Sequence, residues 1–284
     1  MIEGRPSETA LHVAAARAAH LRFDPAPHLL DDVHAENFLD EDGRTLIASY
    51  SDEGPWILIE NRRFLPLRAR WVEDRLAAAH ARGVRQFVIL GAGLDSFAFR
   101  QPAELTGLRI FEIDHPSTQR WKLDRLESIG LAPPENVRFV ACDFEKTSVP
   151  EALAETDFDP NLPAVVSWMG VVYYLEADTV RTALEDLRNL LAPDSEVLFD
   201  ALRPWDELPE RYHALRQQMA ETLDRAGEPH ITRYRTEEVT APVRAAGFAN
   251  AVVEEVGEVL ARYPGGGSGD APPSERFRLV TALR

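Results

Sequence analysis

Cysteine is almost absent from this chain, whose 284 residues include only Cys142. A single thiol rules out an internal disulfide and a cysteine-rich zinc site. No Asp/His spacing resembles a metal site, so we expect no metal. Long apolar runs are missing too: none reaches the roughly 20 residues of a membrane span, and the N-terminus lacks the apolar segment of a signal peptide. We therefore predict a cytoplasmic protein without a membrane partner.

Positive charge is also scarce. The 31 Lys and Arg residues are outnumbered by 47 Asp and Glu residues, which gives a formal net charge of −16. Such an excess repels phosphate backbones and anionic lipid surfaces, so nucleic acid is not an expected partner. The composition, with 27% charged and 45% hydrophobic residues, is that of a folded globular protein. A small molecule is the expected partner, whereas the oligomeric state stays open.

The chain divides into a helical N-terminal part and an α/β remainder. Residues 1–5 contain Ile-Glu-Gly-Arg, the recognition sequence of a protease used to remove tags, and are set aside as a tag remnant. Apolar positions then recur at near-helical spacing from about residue 64 to residue 81. We predict an N-terminal helical cap at 6–82 and a core at 83–284, with a cap insertion at about 203–235.

Short apolar runs alternate with helical stretches in the core, a pattern typical of βαβ units and a mainly parallel sheet. Strands are predicted at 86–90, 108–113, 137–141, 164–167, 196–199, 250–256 and 277–282. In the C-terminal third, further helices are expected at 206–226 and 236–246. The Pro- and Gly-rich segment 264–273 is expected to be a surface loop, with a lid over a pocket as the alternative.

The first predicted strand ends in a glycine-rich turn that contains Gly91, Ala92 and Gly93. Glycine allows the backbone to turn sharply and to approach a ligand, and doubly wound α/β folds bind nucleotide-like cofactors at this position. Asp114 follows about 20 residues later, the spacing of an acid that binds ribose hydroxyls. Asp143 follows the third strand. Either acid alone could be a helix cap, but together they favour a cofactor site.

The identity of the cofactor depends on Ser96, which occupies the position of the third glycine of a dinucleotide fingerprint. Without that glycine the helix cannot pack as closely, and a pyrophosphate fits less well. S-adenosylmethionine has an adenine, a ribose and an amino-acid tail but no pyrophosphate. It is therefore the better candidate.

Several segments together resemble one known superfamily. They are Val88–Ser96, Phe99-Arg100, Phe111–Pro116 and Lys122, with an N-terminal pattern from Thr9 to Pro25. The combination is similar to the leucine carboxyl methyltransferase superfamily, and most closely to its actinobacterial S-adenosylmethionine-dependent branch. The resemblance implies a class I, Rossmann-like methyltransferase: an α/β fold with a seven-stranded, mainly parallel sheet, a reversed last strand, N-terminal helices and a helical cap.

The resemblance also implies roles for individual residues. Arg68, or its neighbour Arg70, would bind the methionine carboxylate through its planar fork of donors. The remaining cofactor contacts would come from Gly91, Ala92, Gly93, Asp114, Asp143, Phe144 and Met169. Met169 departs from the protein-phosphatase methyltransferases, which have a Glu at this point. A thioether cannot accept a strong hydrogen bond, so this change favours a small, apolar or aromatic acceptor.

The residues that act on the acceptor are harder to predict. A carboxylate acceptor is already ionised and needs no base, whereas a hydroxyl needs one. Candidates for that base are His20, His115 and Tyr173. Substrate contacts are expected from Trp168, Tyr173, Tyr174 and Arg235, although core packing or surface exposure explains these side chains as well.

Four functions remain open. The first is a small-molecule O-methyltransferase, acting on a carboxylate or a hydroxyl in specialised metabolism. The second is a protein carboxyl methyltransferase, as the superfamily name suggests. The third is a nicotinamide-dependent oxidoreductase, against which Ser96 argues. The fourth is a cofactor-binding protein that has lost its reaction.

Overall fold

The computed structural model describes residues 7–144, 146–264 and 273–284. The predicted tag remnant and almost all of the predicted loop or lid at 264–273 lie outside these residues. The helices are α1 (Glu8–Phe23), α2 (Ala35–Phe38), α3 (Glu41–Thr45), α4 (Trp56–Ala81), α5 (Phe97–Arg100), α6 (Pro116–Ser128), α7 (Val149–Ala154), α8 (Ala177–Leu190), α9 (Glu210–His213), α10 (Arg216–Ala226), α11 (Ala241–Ala245) and α12 (Val256–Leu260). Within the described residues, no helix is both long enough and apolar enough to span a membrane.

The strands form one seven-stranded sheet, as predicted. They are β1 (Gln86–Leu90), β2 (Arg109–Asp114), β3 (Val137–Ala141), β4 (Ala164–Trp168), β5 (Glu196–Leu202), β6 (Asn250–Glu255) and β7 (Phe277–Leu283). Their order is β3-β2-β1-β4-β5-β7-β6. Strands β1 to β5 are parallel, and β7 runs antiparallel to both β5 and β6. The expected class I fold with a reversed last strand is confirmed.

Two apolar layers cover the sheet because successive side chains of a strand point to opposite faces. In β1, Phe87 and Ile89 belong to the core that includes the N-terminal helices α1 and α4. Val88 and Leu90 belong to the second core, with α7, α8 and α11. The short central strands are buried on both faces, which explains why they read as continuous apolar runs.

Three predicted helices differ from the observed ones in their bounds, and each of the three contains a proline. Helix α4 begins at Trp56 rather than near residue 64 and continues through Pro66, because its buried face packs across the sheet. The predicted helix 206–226 is interrupted at Leu208, which is extended because it precedes Pro209. The predicted helix 236–246 is reduced to α11, where Pro242 lies in the first turn.

A buried polar cluster attaches helix α9 and the segment before β7 to helix α4. Glu60 of α4 accepts hydrogen bonds from the Tyr212 hydroxyl of α9 at 2.5 Å and from the Ser274 hydroxyl at 2.7 Å. It also pairs with Arg276 at 2.9 Å. Because a buried carboxylate requires such partners, this cluster fixes α9 and the segment before β7 against α4.

Candidate active site

A cavity of about 680 Å³ opens at the carboxyl ends of β1, β2 and β4. This volume lies within the range of small-molecule and cofactor sites. The first turn of α1, the middle of α4, the turn after β1 and the segment that follows α10 form its walls. All eight predicted cofactor residues line it, namely Arg68, Gly91, Ala92, Gly93, Asp114, Asp143, Phe144 and Met169. Within the described residues, no group of three or more His, Cys, Asp or Glu side chains could hold a metal.

The turn after β1 requires glycine at two positions. Gly91 and Gly93 have φ angles of +66° and +52°, in the left-handed region that other residues rarely adopt. A Cβ atom on Gly91 would overlap Val171, and one on Gly93 would lie 3.2 Å from the Cβ of Ala10 in α1. Both glycines therefore also allow the segment after β4 and helix α1 to pack closely against the turn.

The substitution Gly91→Ala is expected to lower the free energy of unfolding by about 1–3 kcal/mol, because it combines a strained φ angle with a clash against Val171. Gly130→Ala is the matched control, since Gly130 has a φ of +67° and a Cβ there would meet nothing within 4 Å. Denaturant unfolding of both variants separates the clash from the strain. Equal losses would show that Val171 does not constrain the turn.

The backbone amides of Gly91, Ala92 and Gly93 already have acceptors. Gly91 and Ala92 both donate to the carbonyl oxygen of Ile113, at 2.8 and 3.2 Å, and Gly93 donates to the Asp114 carboxylate. The helix that follows, α5, has only four residues. A pyrophosphate needs free amides and a helix N-terminus at this point, so the turn does not fit a dinucleotide.

Asp114 ends β2 and faces the cavity. Its second carboxylate oxygen accepts a hydrogen bond of 2.6 Å from the amide of His115. Burial raises the pKa of this carboxyl above its ordinary value, although the amides of Gly93 and His115 act in the opposite direction. These two amides fix the orientation of the carboxylate, which retains lone pairs for ribose hydroxyls.

Asp143, Phe144 and His115 form the end of the cavity predicted to hold adenine. Asp143 pairs with Lys146 at 2.6 Å and lies 3.9 Å from Nε2 of His115. The other ring nitrogen of His115 lies 2.8 Å from the Ser117 hydroxyl and caps α6. His115 therefore lies at the cofactor end with one nitrogen engaged in the cap, a poor position for the base proposed from the sequence.

Arg68 lies at the opposite side of the turn from Asp143 and is almost fully buried. Its guanidinium pairs with Asp200 at 2.7 Å, and Asp200 also accepts a hydrogen bond of 2.7 Å from the amide of Gly170. Burial lowers the pKa of Arg68, but the charge interactions and hydrogen bonds with Asp200 and Tyr173 together outweigh burial and leave the pKa above its ordinary value. The competing candidate, Arg70, is half-exposed and pairs with Asp74 outside the cavity.

Two buried cations hold the segment after the glycine turn in place. Arg17 of α1 donates to the carbonyl oxygen of Leu94 at 2.6 Å and pairs with Asp32 at 2.7 Å. Lys122 of α6 donates to the carbonyl oxygen of Asp95 at 2.7 Å and pairs with Glu112. Both residues lie in the segments that resemble the superfamily, but the sequence did not predict a role for either of them.

His20 does not reach the cavity, contrary to its selection as a base. Its Nε2 accepts a hydrogen bond of 3.0 Å from the amide of Leu29, so Nδ1 carries the proton and donates to Asp24 at 2.7 Å. Both nitrogens are engaged, and the ring is almost fully buried. The histidine holds the chain that follows α1.

Two predicted substrate residues are also elsewhere. Ser167 and Trp168 are neighbours in β4, so their side chains point to opposite faces of the sheet. Ser167 faces the cavity, whereas Trp168 packs in the second core beside Phe199. Arg235 lies on the surface, where it pairs with Asp206 at 2.6 Å. Neither side chain lines the cavity.

Tyr173 and Tyr174 do line the cavity. Burial raises the pKa of Tyr173 well above its ordinary value, and its hydroxyl interacts with Arg68. Burial likewise raises the pKa of Tyr174 to about 12, and its hydroxyl bonds with Thr9. Neither phenol is ionised near neutral pH, so neither is ready to act as a base. We therefore expect the two tyrosines to shape the cavity rather than to accept a proton.

Comparison with known proteins identifies the family. The family model of leucine carboxyl methyltransferase matches residues 10–188. The chain belongs to the leucine carboxyl methyltransferase family. Among its relatives, the Bacillus subtilis protein named "Putative S-adenosyl-L-methionine-dependent methyltransferase YktD" is 32% identical over 221 residues, which are 70% of this chain and 72% of that protein.

Mycobacterial relatives carry the same kind of name. One from Mycolicibacterium smegmatis is 35% identical, over 66% of this chain and 64% of its own length. One from Mycobacteroides abscessus is 31% identical, over 78% of this chain and 73% of its own length. With the family assignment, these relatives confirm the predicted S-adenosylmethionine-dependent methyltransferase class.

A solved structure shows the same fold. The Thermobifida fusca protein described as a putative methyltransferase has a TM-score of 0.61 and 18% identity, and the match covers 99% of this chain and 96% of that one. At this identity the likeness concerns the fold alone. The methyl acceptor of this protein therefore has to be inferred from the residues that line its cavity.

Proposed function

We propose that this member of the family is an O-methyltransferase that transfers the methyl group of S-adenosylmethionine to a small molecule. The observation that carries the proposal is the composition of the cavity. The predicted cofactor residues line one part of it, and the first turn of α1 and the segment after α10 bound the rest. An acceptor in that remaining space would lie inside the molecule.

The residues present fit S-adenosylmethionine. Asp114 offers a carboxylate with a fixed orientation, Asp143 and Phe144 suit an adenine, and Arg68 suits a carboxylate group. The cofactor supplies an already activated methyl group. The chain then has to position the acceptor in line with it and exclude water, which is the role we assign to the apolar walls from Val13, Leu65 and Val72.

A protein carboxyl methyltransferase is the second candidate, because the matching family model carries the name leucine carboxyl methyltransferase. Two features of the cavity speak against this candidate. Met169 departs from the Glu of the protein-phosphatase enzymes, so their substrate does not transfer directly, and Glu228 adds a negative charge to the wall that disfavours a carboxylate acceptor. An oxidoreductase is disfavoured because the amides of the glycine turn are already bonded.

Titration calorimetry with S-adenosylmethionine, S-adenosylhomocysteine and NADH tests the cofactor. We expect binding of the first two and none of NADH, because the turn has no free amides for a pyrophosphate. Mass spectrometry of reactions with small hydroxyl and carboxylate compounds and with carboxyl-terminal peptides then tests the acceptor. Binding of NADH alone, or methylation of peptides alone, would refute the proposal.

A further inference from the structure

Glu228 is a cavity residue that sequence analysis did not select. It directly follows Gly227, which ends α10 in the left-handed conformation with a φ of +71°. The amide of Glu228 donates to the carbonyl oxygen of Leu223 at 2.9 Å, as in a Schellman cap. The position of Glu228 is thus set by the end of the cap helix.

The segment after Glu228 is docked on the turn that follows β4. The amide of Ile231 donates to the carbonyl oxygen of Tyr173 at 2.7 Å, and the hydroxyl of Thr232 donates to that of Leu175 at 2.5 Å. Glu228 itself accepts a hydrogen bond of 3.3 Å from the amide of Thr9, at the N-terminus of α1. Three separate elements therefore meet around its carboxylate.

Glu228 lies toward the acceptor part of the cavity. Its contact residue Thr9 precedes Ala10, which packs against Gly93, and it interacts electrostatically with Tyr174. The adenine end, at Asp143, is at the other side of the glycine turn. The walls near Glu228 are apolar and come from Leu175, Pro229 and Ile231.

Glu228 adds a negative charge to the cavity wall that the cations of the cavity do not neutralise. The cations that line it are paired with other carboxylates: Arg17 with Asp32, Arg68 with Asp200 and Lys146 with Asp143. In the described part of the chain, Glu228 forms no ion pair with Lys, Arg or His. The N-terminus of α1 is a favourable neighbour for a negative charge. An acceptor beside Glu228 therefore meets a carboxylate, and the cations of the cavity already have carboxylate partners.

We propose that Glu228 selects a neutral, hydroxyl-bearing aromatic acceptor and removes its proton, an inference that rests on the proposed methyl transfer. The hydroxyl donates its hydrogen bond to the Glu228 carboxylate. As the oxygen forms its bond to the methyl carbon, the carbon–sulfur bond breaks and its electron pair goes to sulfur. The hydroxyl proton moves to Glu228. An acceptor that carries a carboxylate is repelled by the same group.

The test uses Glu228→Gln, which retains an acceptor for the Thr9 amide but loses the charge. Glu8→Gln is the matched control, because Glu8 is an exposed acid in the same turn of α1 that does not line the cavity. Binding of 4-ethylphenol and of 4-ethylbenzoate to each protein loaded with S-adenosylhomocysteine is measured by ligand-observed NMR titration.

We expect the native protein and Glu8→Gln to prefer the phenol by about tenfold or more. In Glu228→Gln the benzoate should bind about tenfold more tightly than before, while phenol affinity changes less than about threefold. Phenol methylation by this variant should fall about 10²- to 10⁴-fold, the usual contribution of a general base.

Three outcomes overturn the proposal, two of them in a comparison of the two ligands. One is binding of the benzoate as tight as that of the phenol in the native protein, and the other is an unchanged preference in Glu228→Gln. Failure of the phenol to bind at millimolar concentration counts equally against the inferred acceptor class. The proposed function fails separately, if the protein does not bind S-adenosylhomocysteine or transfers no methyl group to any small molecule.

Discussion

The substitution Asp200→Ala is expected to lower the free energy of unfolding by about 3–5 kcal/mol, the usual cost of removing one partner of a buried ion pair. Asp200 is fully buried within β5, and its loss leaves the Arg68 guanidinium buried without a counter-charge. The amide of Gly170 loses its acceptor as well. Because domains are stable by only about 5–15 kcal/mol, this is a large fraction of the total.

Urea unfolding of Asp200→Ala and Asp200→Asn measures the effect. The Asn variant keeps an acceptor for Gly170 but not the charge, so it isolates the ion pair. Asp178→Ala is the surface control, because its side chain is 95% exposed and lies 3.7 Å from Arg181. We expect a loss there below about 0.5 kcal/mol. If Asp200→Ala lost as little stability as Asp178→Ala, the Arg68 guanidinium would have to be hydrated or paired with another group in the variant.

The substitution Asp114→Ala is expected to weaken binding of S-adenosylhomocysteine by about 1–3 kcal/mol, or roughly 5- to 150-fold, the cost of removing a buried charge-assisted acceptor. Two effects combine. The ribose hydroxyls lose their acceptor, and the amide of Gly93 loses the carboxylate that orients the glycine turn. Titration calorimetry measures the change.

Asp124→Ala is the control for this binding experiment, since Asp124 is an exposed acid on α6, the helix that directly follows Asp114. Its affinity should equal that of the native protein. Unfolding curves of Asp114→Ala should show whether the fold is intact. A folded Asp114→Ala protein with native affinity would place the ribose elsewhere in the cavity.

Local patterns were sufficient to predict much of the fold. The central strands, buried on both faces, read as short apolar runs, and the runs at β1 and β3 were predicted with their observed bounds. The glycine turn could also be predicted, because two glycines directly after a strand indicate a sharp backbone turn. Asp114 could be predicted because the carboxyl ends of parallel strands lie at the same edge of the sheet. Asp200 directly follows the predicted strand 196–199, so the same signal, an acid after an apolar run, could have identified it.

Side-chain direction required the tertiary structure. Trp168 and Ser167 are adjacent, but the strand pleat sends only Ser167 to the cavity. His20 lies in a motif, but the amide of Leu29, nine positions later, occupies its ring nitrogen. Arg235 was predicted to contact the substrate, but nothing in its neighbours along the chain indicates that it faces solvent and Asp206.

The sequence by itself determined the fold, the family and the cofactor class of this protein, because each of them depends on local periodicity and on motifs that lie within a few residues of a strand end. Only the tertiary structure decided which side chains meet at the proposed acceptor site. Glu228 and Thr9 are 219 residues apart, and the hydrogen bond between them forms only when the end of α10 docks against the first turn of α1. The chemistry that we propose for this site depends on that contact.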